Sequence, residues 1–387
     1  MKKSRYFLAL AVAGSSLVFS CKKETMSTPA NEALAAKAGK SEGAKEKTSV
    51  GYVYTLSNEV AANRVLAFSR SVTGTLTYEA AYATGGSGTG SGLGSQGAIT
   101  LSADRHILLA VNAASNSVSS FTVSDGGDLR WQSTVPSGGV LPVSVAVYRN
   151  LVYVVNAGGS GNISGFTLDA GGSLEPLSGS ARPLSSSGAG PAEIAFAREG
   201  KGVVITEKAA NTILSYTIDG DGTPGTIHTL PSANATPFGF AVGTNGLLYV
   251  SEAGGSPGSS SVSAYRVDEE GVITLLDGPV SAGQTAACWV VLTNNGKYAY
   301  ATNAGSSTVS SFLAGHGGSL QVARAVAANT KISGPIDAAL SNNSKYLYVL
   351  NSRSQSISAF SVDHDSGLGF LQNLGGLPVS AVGLAAK

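Results

Sequence analysis

Cysteine is nearly missing from this chain. There are two in 387 residues, Cys21 and Cys288, too far apart in position and setting to build a disulfide framework. Charge is also scarce: 25 Lys and Arg against 24 Asp and Glu make up 13% of the chain and leave a formal charge of +1. No run of Lys or Arg falls after the N-terminal region, which removes the electrostatic footprint of a nucleic-acid binder. Four histidines, His106, His228, His316 and His364, fall in or beside separate turns. They do not converge, so neither a His-based metal site nor a Ser-His-Asp triad is supported. No Gly-rich loop stands where a strand feeds a helix, so phosphate-loop and dinucleotide fingerprints are absent and no cofactor is expected. Long apolar runs are lacking too. The longest near the N-terminus, Tyr6 to Ser20, spans about fifteen residues, short of the roughly twenty that cross a bilayer as a helix.

That run nevertheless carries information. It follows Lys2, Lys3 and Arg5 and ends in "VFSC", the order of basic start, apolar stretch and small-residue cleavage site seen in export signals. "VFSC" resembles the lipobox of bacterial lipoproteins, with Phe19 a mild departure. The resemblance implies a signal peptide over residues 1–20, lipidation at Cys21 and export to the outer membrane, on its periplasmic or surface side. Residues 21–49 are rich in Lys, Glu, Ala and Ser and hold too little apolar surface to offset chain entropy. They are expected to be a flexible tether between lipid and domain.

From residue 50 onward the composition is that of an all-β protein: 50 Gly, abundant Val, Ile and Leu, and 7% aromatics in short runs bounded by turn residues. One pattern recurs, as in "YVYTLSNEVAANRVLAFS", "ILLAVNAASNSVSSFTV" and "YLYVLNSRSQSISAFSV". Each copy is an apolar strand ending in Asn or Glu, a small polar loop, then an alternating strand with one aromatic. Those aromatics are Phe68, Phe121, Phe166, Tyr216, Tyr265, Phe312 and Phe360, spaced 53, 45, 50, 49, 47 and 48 residues. This is the period of propeller blades. Seven repeats of four antiparallel strands predict a seven-bladed β-propeller over residues 50–387, expected to be a monomer. The first repeat lacks an inner strand, and "LPVSAVGLAA" at the C-terminus parallels "LPVSVAV" at Leu141–Val147, so blade one should be closed from both chain ends. Cys288, in the apolar "AACWVVL", reads as a small core residue.

Alternating strand direction puts two rows of residues at one face. The ends of the second strands carry Asn58 or Glu59, Asn112, Asn156, Glu207, Glu252, Asn303 and Asn351; the starts of the inner strands carry Ala98, Ser144, Glu193, Gly239, Trp289, Asp337 and Ser380. Both rows are expected to ring the central mouth, where a small molecule, glycan or protein would bind. The ligand-binding candidates are Glu252, Trp289, Asn303, Asp337, Asn351, Asn112 and Asn156. Glu193 and Glu207 are the candidate catalytic pair. They are symmetric about Gly200, as Trp289 and Asn303 are about Gly296 and Asp337 and Asn351 about Ser344, so a regular hairpin would set each pair face to face. Opposed carboxyls destabilise a strand pair and push one pKa upward, unless they share a proton, bind a cation or grip hydroxyls. Such a pair could serve as acid and base toward an uncharged lactone; solvated carboxylates at the mouth would serve binding alone. Two Gly/Ser insertions, Ala83–Gln96 and Ala253–Ser261, fall on the same face as lids or as solvated slack.

The "YVY" strands, "SVSSF"-type strands, Asn-Gly turns and repeat count resemble the seven-bladed lactonase family, which includes 6-phosphogluconolactonase and the 3-carboxymuconate lactonising enzyme. The resemblance covers essentially all of residues 50–387. In the catalytic members a blade reads approximately Gly-Pro-Arg-His before a strand ending in Asn-Glu. Here the stretch is "GPAEIAFAREGKGVVITE": Glu207 matches the functional Glu, Ala192 and Glu193 stand at the Arg and His positions, and Val143 stands where an earlier blade carries His. The resemblance thus implies a propeller whose Arg-His motif is not retained. A mouth with Glu193, Glu207, Glu252 and Asp337, and only Lys208 and Arg353 as nearby cations, would repel an anionic substrate, so a neutral or cationic ligand is expected there.

Overall fold

A computed structural model describes residues 49–331 and 333–387. The expected signal peptide, Cys21 and nearly all of the tether lie outside the described residues. Seven antiparallel sheets follow one another along the chain, each built of consecutive neighbours from the axis outward. Blade four is typical, with strands Pro191–Ala197, Gly202–Glu207, Thr212–Ile218 and Pro224–Pro231. Blade one takes its inner strand, Val382–Ala386, from the C-terminus, where it pairs with Gly51–Leu56. Blade three departs in one respect. Its outer strand is split into Leu174–Pro176 and Arg182–Pro183.

The repeat residues explain why the blades stack. The seven once-per-repeat aromatics, Phe68 through Phe360, are all at most 2% exposed, so truncating any one would cost about 3–5 kcal/mol. The tyrosines of the second strands stitch blade to blade. Tyr54 Oη donates to Gly127 O at 2.8 Å, Tyr153 Oη to Gly222 O at 2.7 Å and Tyr348 Oη to Gly74 O at 3.0 Å. Each acceptor sits in the turn between the third and fourth strands of another blade. Gly127 has φ 77°, and a Cβ there would enter the Tyr52 ring, so both backbone and packing require glycine.

The register differs from simple counting in one repeated way. In blade four Pro191 pairs with Glu207 and Glu193 with Thr206, with a bulge between Pro191 and Glu193. The same shift occurs at Pro142/Ser144, Pro237/Phe240, Ala287/Trp289 and Pro335/Asp337. Glu193 is therefore not opposite Glu207, nor Trp289 opposite Asn303, nor Asp337 opposite Asn351. The physical reason is the bulge: one extra residue on the inner strand re-aims the side chain that follows. Four of the five begin at proline, which lacks the N–H that a regular ladder would use.

Candidate functional site

The row at the ends of the second strands is taken up by its own blades and the loops that lead into them, with Asn156 Oδ1 left buried and unpartnered. Asn112 Nδ2 donates to Ser117 Oγ and Ser119 Oγ at 3.2 and 2.7 Å. Asn303 does the same with Thr308 and Ser310 at 3.1 and 2.9 Å, and Asn351 with Ser356 and Ser358 at 3.4 and 2.9 Å. Asn156 Nδ2 reaches Ser137 O at 3.2 Å. Glu252 plays the asparagine's part with a carboxyl. It accepts from Ser261, Ser263, Tyr265 and Ser232 at 2.6, 2.8, 3.0 and 3.2 Å. Glu207 accepts from Ser185 N at 2.9 Å and from Ser185 Oγ. Both carboxyls are 0% exposed; burial raises their pKa, and the donors around them oppose the rise.

The inner-strand row lies around the axis. Ser144 Oγ accepts from Ile194 N of the next blade at 3.2 Å. Glu193 Oε2 accepts from Phe240 N of the next at 2.6 Å. Asp337 Oδ1 accepts from Ala338 N at 2.7 Å, while its Oδ2 is buried without a partner, as is Trp289 Nε1. The indole faces that carboxyl without closing a full hydrogen bond. Burial pushes Asp337 well above the ordinary carboxyl range, with the N–H groups of Ala338 and Leu384 and the Trp289 indole opposing. Burial also pushes Glu193 far up; Phe240 N opposes this and the neighbouring Asp337 adds to it. The charge that acts on Glu193 is thus Asp337, not Glu207.

The first insertion is neither slack nor free of the mouth. Asn58 Nδ2 holds its near end through Thr89 Oγ1 and Ser91 O at 3.0 and 2.7 Å. At its far end Ser95 Oγ donates to Val143 O at 2.8 Å and Gln96 N to Ala192 O at 3.0 Å. Gly94 O accepts from Lys208 Nζ. Lys208 also lies 4.7 Å over the Phe238 ring, which packs 5.0 Å from Trp289, and burial lowers its pKa to about 8. Cys288 is buried and its thiol is pushed up to about 12, as suits a core residue. Arg353 is exposed on the loop after the second strand of blade seven. A cavity of about 450 Å³ lies elsewhere, where the outer strand of blade three splits, walled by Phe166, Leu177, Pro136 and Arg182.

The structure therefore gathers Glu193, Trp289 and Asp337 with Lys208, and leaves Glu207, Glu252 and the asparagines in separate blades. Sequence reasoning missed Gln96 and Phe238. The signal for Gln96 was available: it closes a Gly/Ser tract three residues before the next inner strand at Ile99, in a ring where one member, Gly239, has no side chain.

A family model described as a seven-bladed β-propeller lactonase matches residues 18–182, 160–288 and 272–376. The chain belongs to this lactonase family. Among solved structures, a putative 6-phosphogluconolactonase from Bacteroides uniformis is 21% identical, with 86% of this chain and 99% of that one covered at a TM-score of 0.68. A second putative 6-phosphogluconolactonase, from Bacteroides fragilis, is 17% identical over 89% and 100% at 0.65. A periplasmic gluconolactonase from Pseudomonas aeruginosa is 14% identical over 86% and 98% at 0.66. At these identities the likeness is one of fold. No curated protein sequence matches significantly.

Proposed function

We propose that this lactonase-family propeller is an exported, lipid-anchored protein that binds a neutral ligand at its mouth without a Glu193–Glu207 acid/base pair. The observation that carries this reading is the separation of the two carboxyls. Glu207 is occupied by Ser185 and Glu193 by Phe240 N and Gln96, and Pro191, not Glu193, stands opposite Glu207. A general acid and base must both reach the reacting group. The aromatic pair Phe238 and Trp289, with buried acids that burial favours in their neutral form, suits an uncharged ligand such as a polyol or glycan. Lipidation at Cys21 and an outer-membrane address rest on "MKKSRYFLALAVAGSSLVFSC"; the periplasmic gluconolactonase among similar structures is compatible with export.

Family membership itself favours a second reading, hydrolysis of an uncharged lactone. Both are tested on the full chain in detergent by pH-stat titration against neutral and anionic lactones, beside Glu193→Gln and Glu207→Gln, with calorimetric binding of the same compounds and of polyols. Saturable heat with no acid release is expected. Turnover of a neutral lactone that either substitution abolishes would replace the binding reading with the hydrolase. For the anchor, Cys21→Ser is expected to move the protein from the membrane pellet to the soluble fraction; an unchanged pellet would remove the lipid from the proposal.

A further inference from the structure

Around the axis, a side chain from outside the inner-strand row bonds where blade five has none of its own. In blades three and four the inner-strand residue accepts from the N–H of the following blade, through Ser144 Oγ to Ile194 N and Glu193 Oε2 to Phe240 N. Blade five has Gly239 at this position and nothing to offer Val290 N. Gln96 Oε1 accepts that N–H at 3.2 Å. Its Nε2 meanwhile faces Glu193 Oε1 at 3.3 Å, Val290 O at 3.3 Å and Phe240 O at 3.4 Å. A Cβ on Gly239 would collide with Gln96 Oε1 and crowd the Cys288 carbonyl. The slot thus offers one donor and three acceptors around a neutral planar group.

These contacts are long for N–H···O bonds, whereas the fixed bond between Glu193 and Phe240 N is 2.6 Å. Gln96 is half-buried, on a loop whose remaining ties over the axis are single bonds from Ser95, Gln96 N and Lys208. Two of the slot's acceptors are backbone carbonyls and the third is a carboxyl, an arrangement that rejects an anion and takes N–H donors.

We propose that this slot is the ligand subsite of the mouth, that Gln96 occupies it as a stand-in for the ligand, and that a ligand carrying a neutral carboxamide displaces it. The inference rests on the reading that the mouth binds a ligand, and narrows the ligand's class. Displacement withdraws Gly94 O from Lys208, whose ammonium then takes a ligand oxygen in its place. The 84–97 loop is the gate, and Gly239 leaves the room that lets it close.

The test is chemical rescue of the full chain. Gln96→Ala is expected to lower Tm, and propionamide at millimolar concentrations to restore at least half of that loss saturably. Propionate and 1,2-propanediol are expected to restore none, and the wild type to shift little because Gln96 competes. Equal rescue by propionate or the diol, or no rescue by the amide, overturns the assignment. If Gln96→Ala does not fold, Gly239→Ser gives Val290 N an acceptor as Ser144 does for Ile194, and excludes Gln96. Thermolysin cleavage beside Leu93 should then rise at least tenfold at a temperature well below the variant's own Tm; unaltered cleavage overturns the gate. An empty ligand screen on the wild type would count against the mouth as a binding site and leave a rescue by propionamide standing, so the two failures are distinguishable.

Discussion

Glu252 and Asp337 are both carboxyls buried at the loop end of the propeller, and they are built for different things. Glu252 has four hydroxyl donors within its own blade and its neighbourhood. Asp337 has one oxygen held by Ala338 N and the other bare against the Trp289 indole. A buried acid marks a candidate site only when its donors run short. By that measure the scaffold lies in the second strands and the site around the axis, where the acids are incompletely satisfied and a Gly/Ser loop is tied down over them.

The largest effect that would break this contrast is at Glu252. Glu252→Ala should cost about 3 kcal/mol or more in denaturant unfolding, because it strands several buried hydroxyls at once. Glu252→Asn should recover more than half, since Asn112, Asn303 and Asn351 do the same work; equal loss in both variants would mean that the charge, not the donor count, matters there. Next is Asp337→Asn, expected to stabilise by about 1–3 kcal/mol near pH 8 by removing a poorly compensated buried charge. The sign follows from the raised pKa. Stability linked to the neutral carboxyl is fully present below the unfolded value of about 3.9 and lost as pH rises through the folded value. The advantage of Asn should therefore shrink toward pH 4, and a pH-independent difference would show that Asp337 does not titrate as its burial requires. Smallest is Glu193→Gln, with the same sign but less than about 1 kcal/mol, because Phe240 N and Gln96 already hold that carboxylate. A gain larger than that of Asp337→Asn would reverse the ranking of the two axial acids.

The fold was readable because each repeat carries its own copy of the packing rule, a core aromatic on the third strand between turn residues. Three of them add a second-strand tyrosine that bonds a glycine turn of another blade. Ring closure was readable for the same reason, since Leu377–Ala386 repeats a stretch of blade three. The site was readable only in part: the inner-strand row named Glu193, Trp289 and Asp337, but the pairing expected of them depends on one residue of register. Counting from Gly200 pairs Glu193 with Glu207, and the bulge after Pro191 undoes the pairing. Proline recurs two residues before the axial position in "LPVS", "GPAE", "TPFG" and "GPID", which is the local sign that a ladder bond is absent. Gln96 was hidden differently. It belongs to a Gly/Ser tract whose composition says loop, while its partners come from three other blades that only the closed ring brings together.

The joint in blade one also sets a direction. Gly51–Leu56 runs toward the face that carries the 84–97 loop, and Val382–Ala386 runs antiparallel to it, so the described chain enters and leaves on the opposite side of the disc. Lys387, bonded to Tyr52 and to Ser124 in a turn of that far side, marks the same place. A molecule held by its N-terminal end would thus have its point of attachment on the side of the disc away from the axial opening, which leaves that opening clear of the chain that holds it.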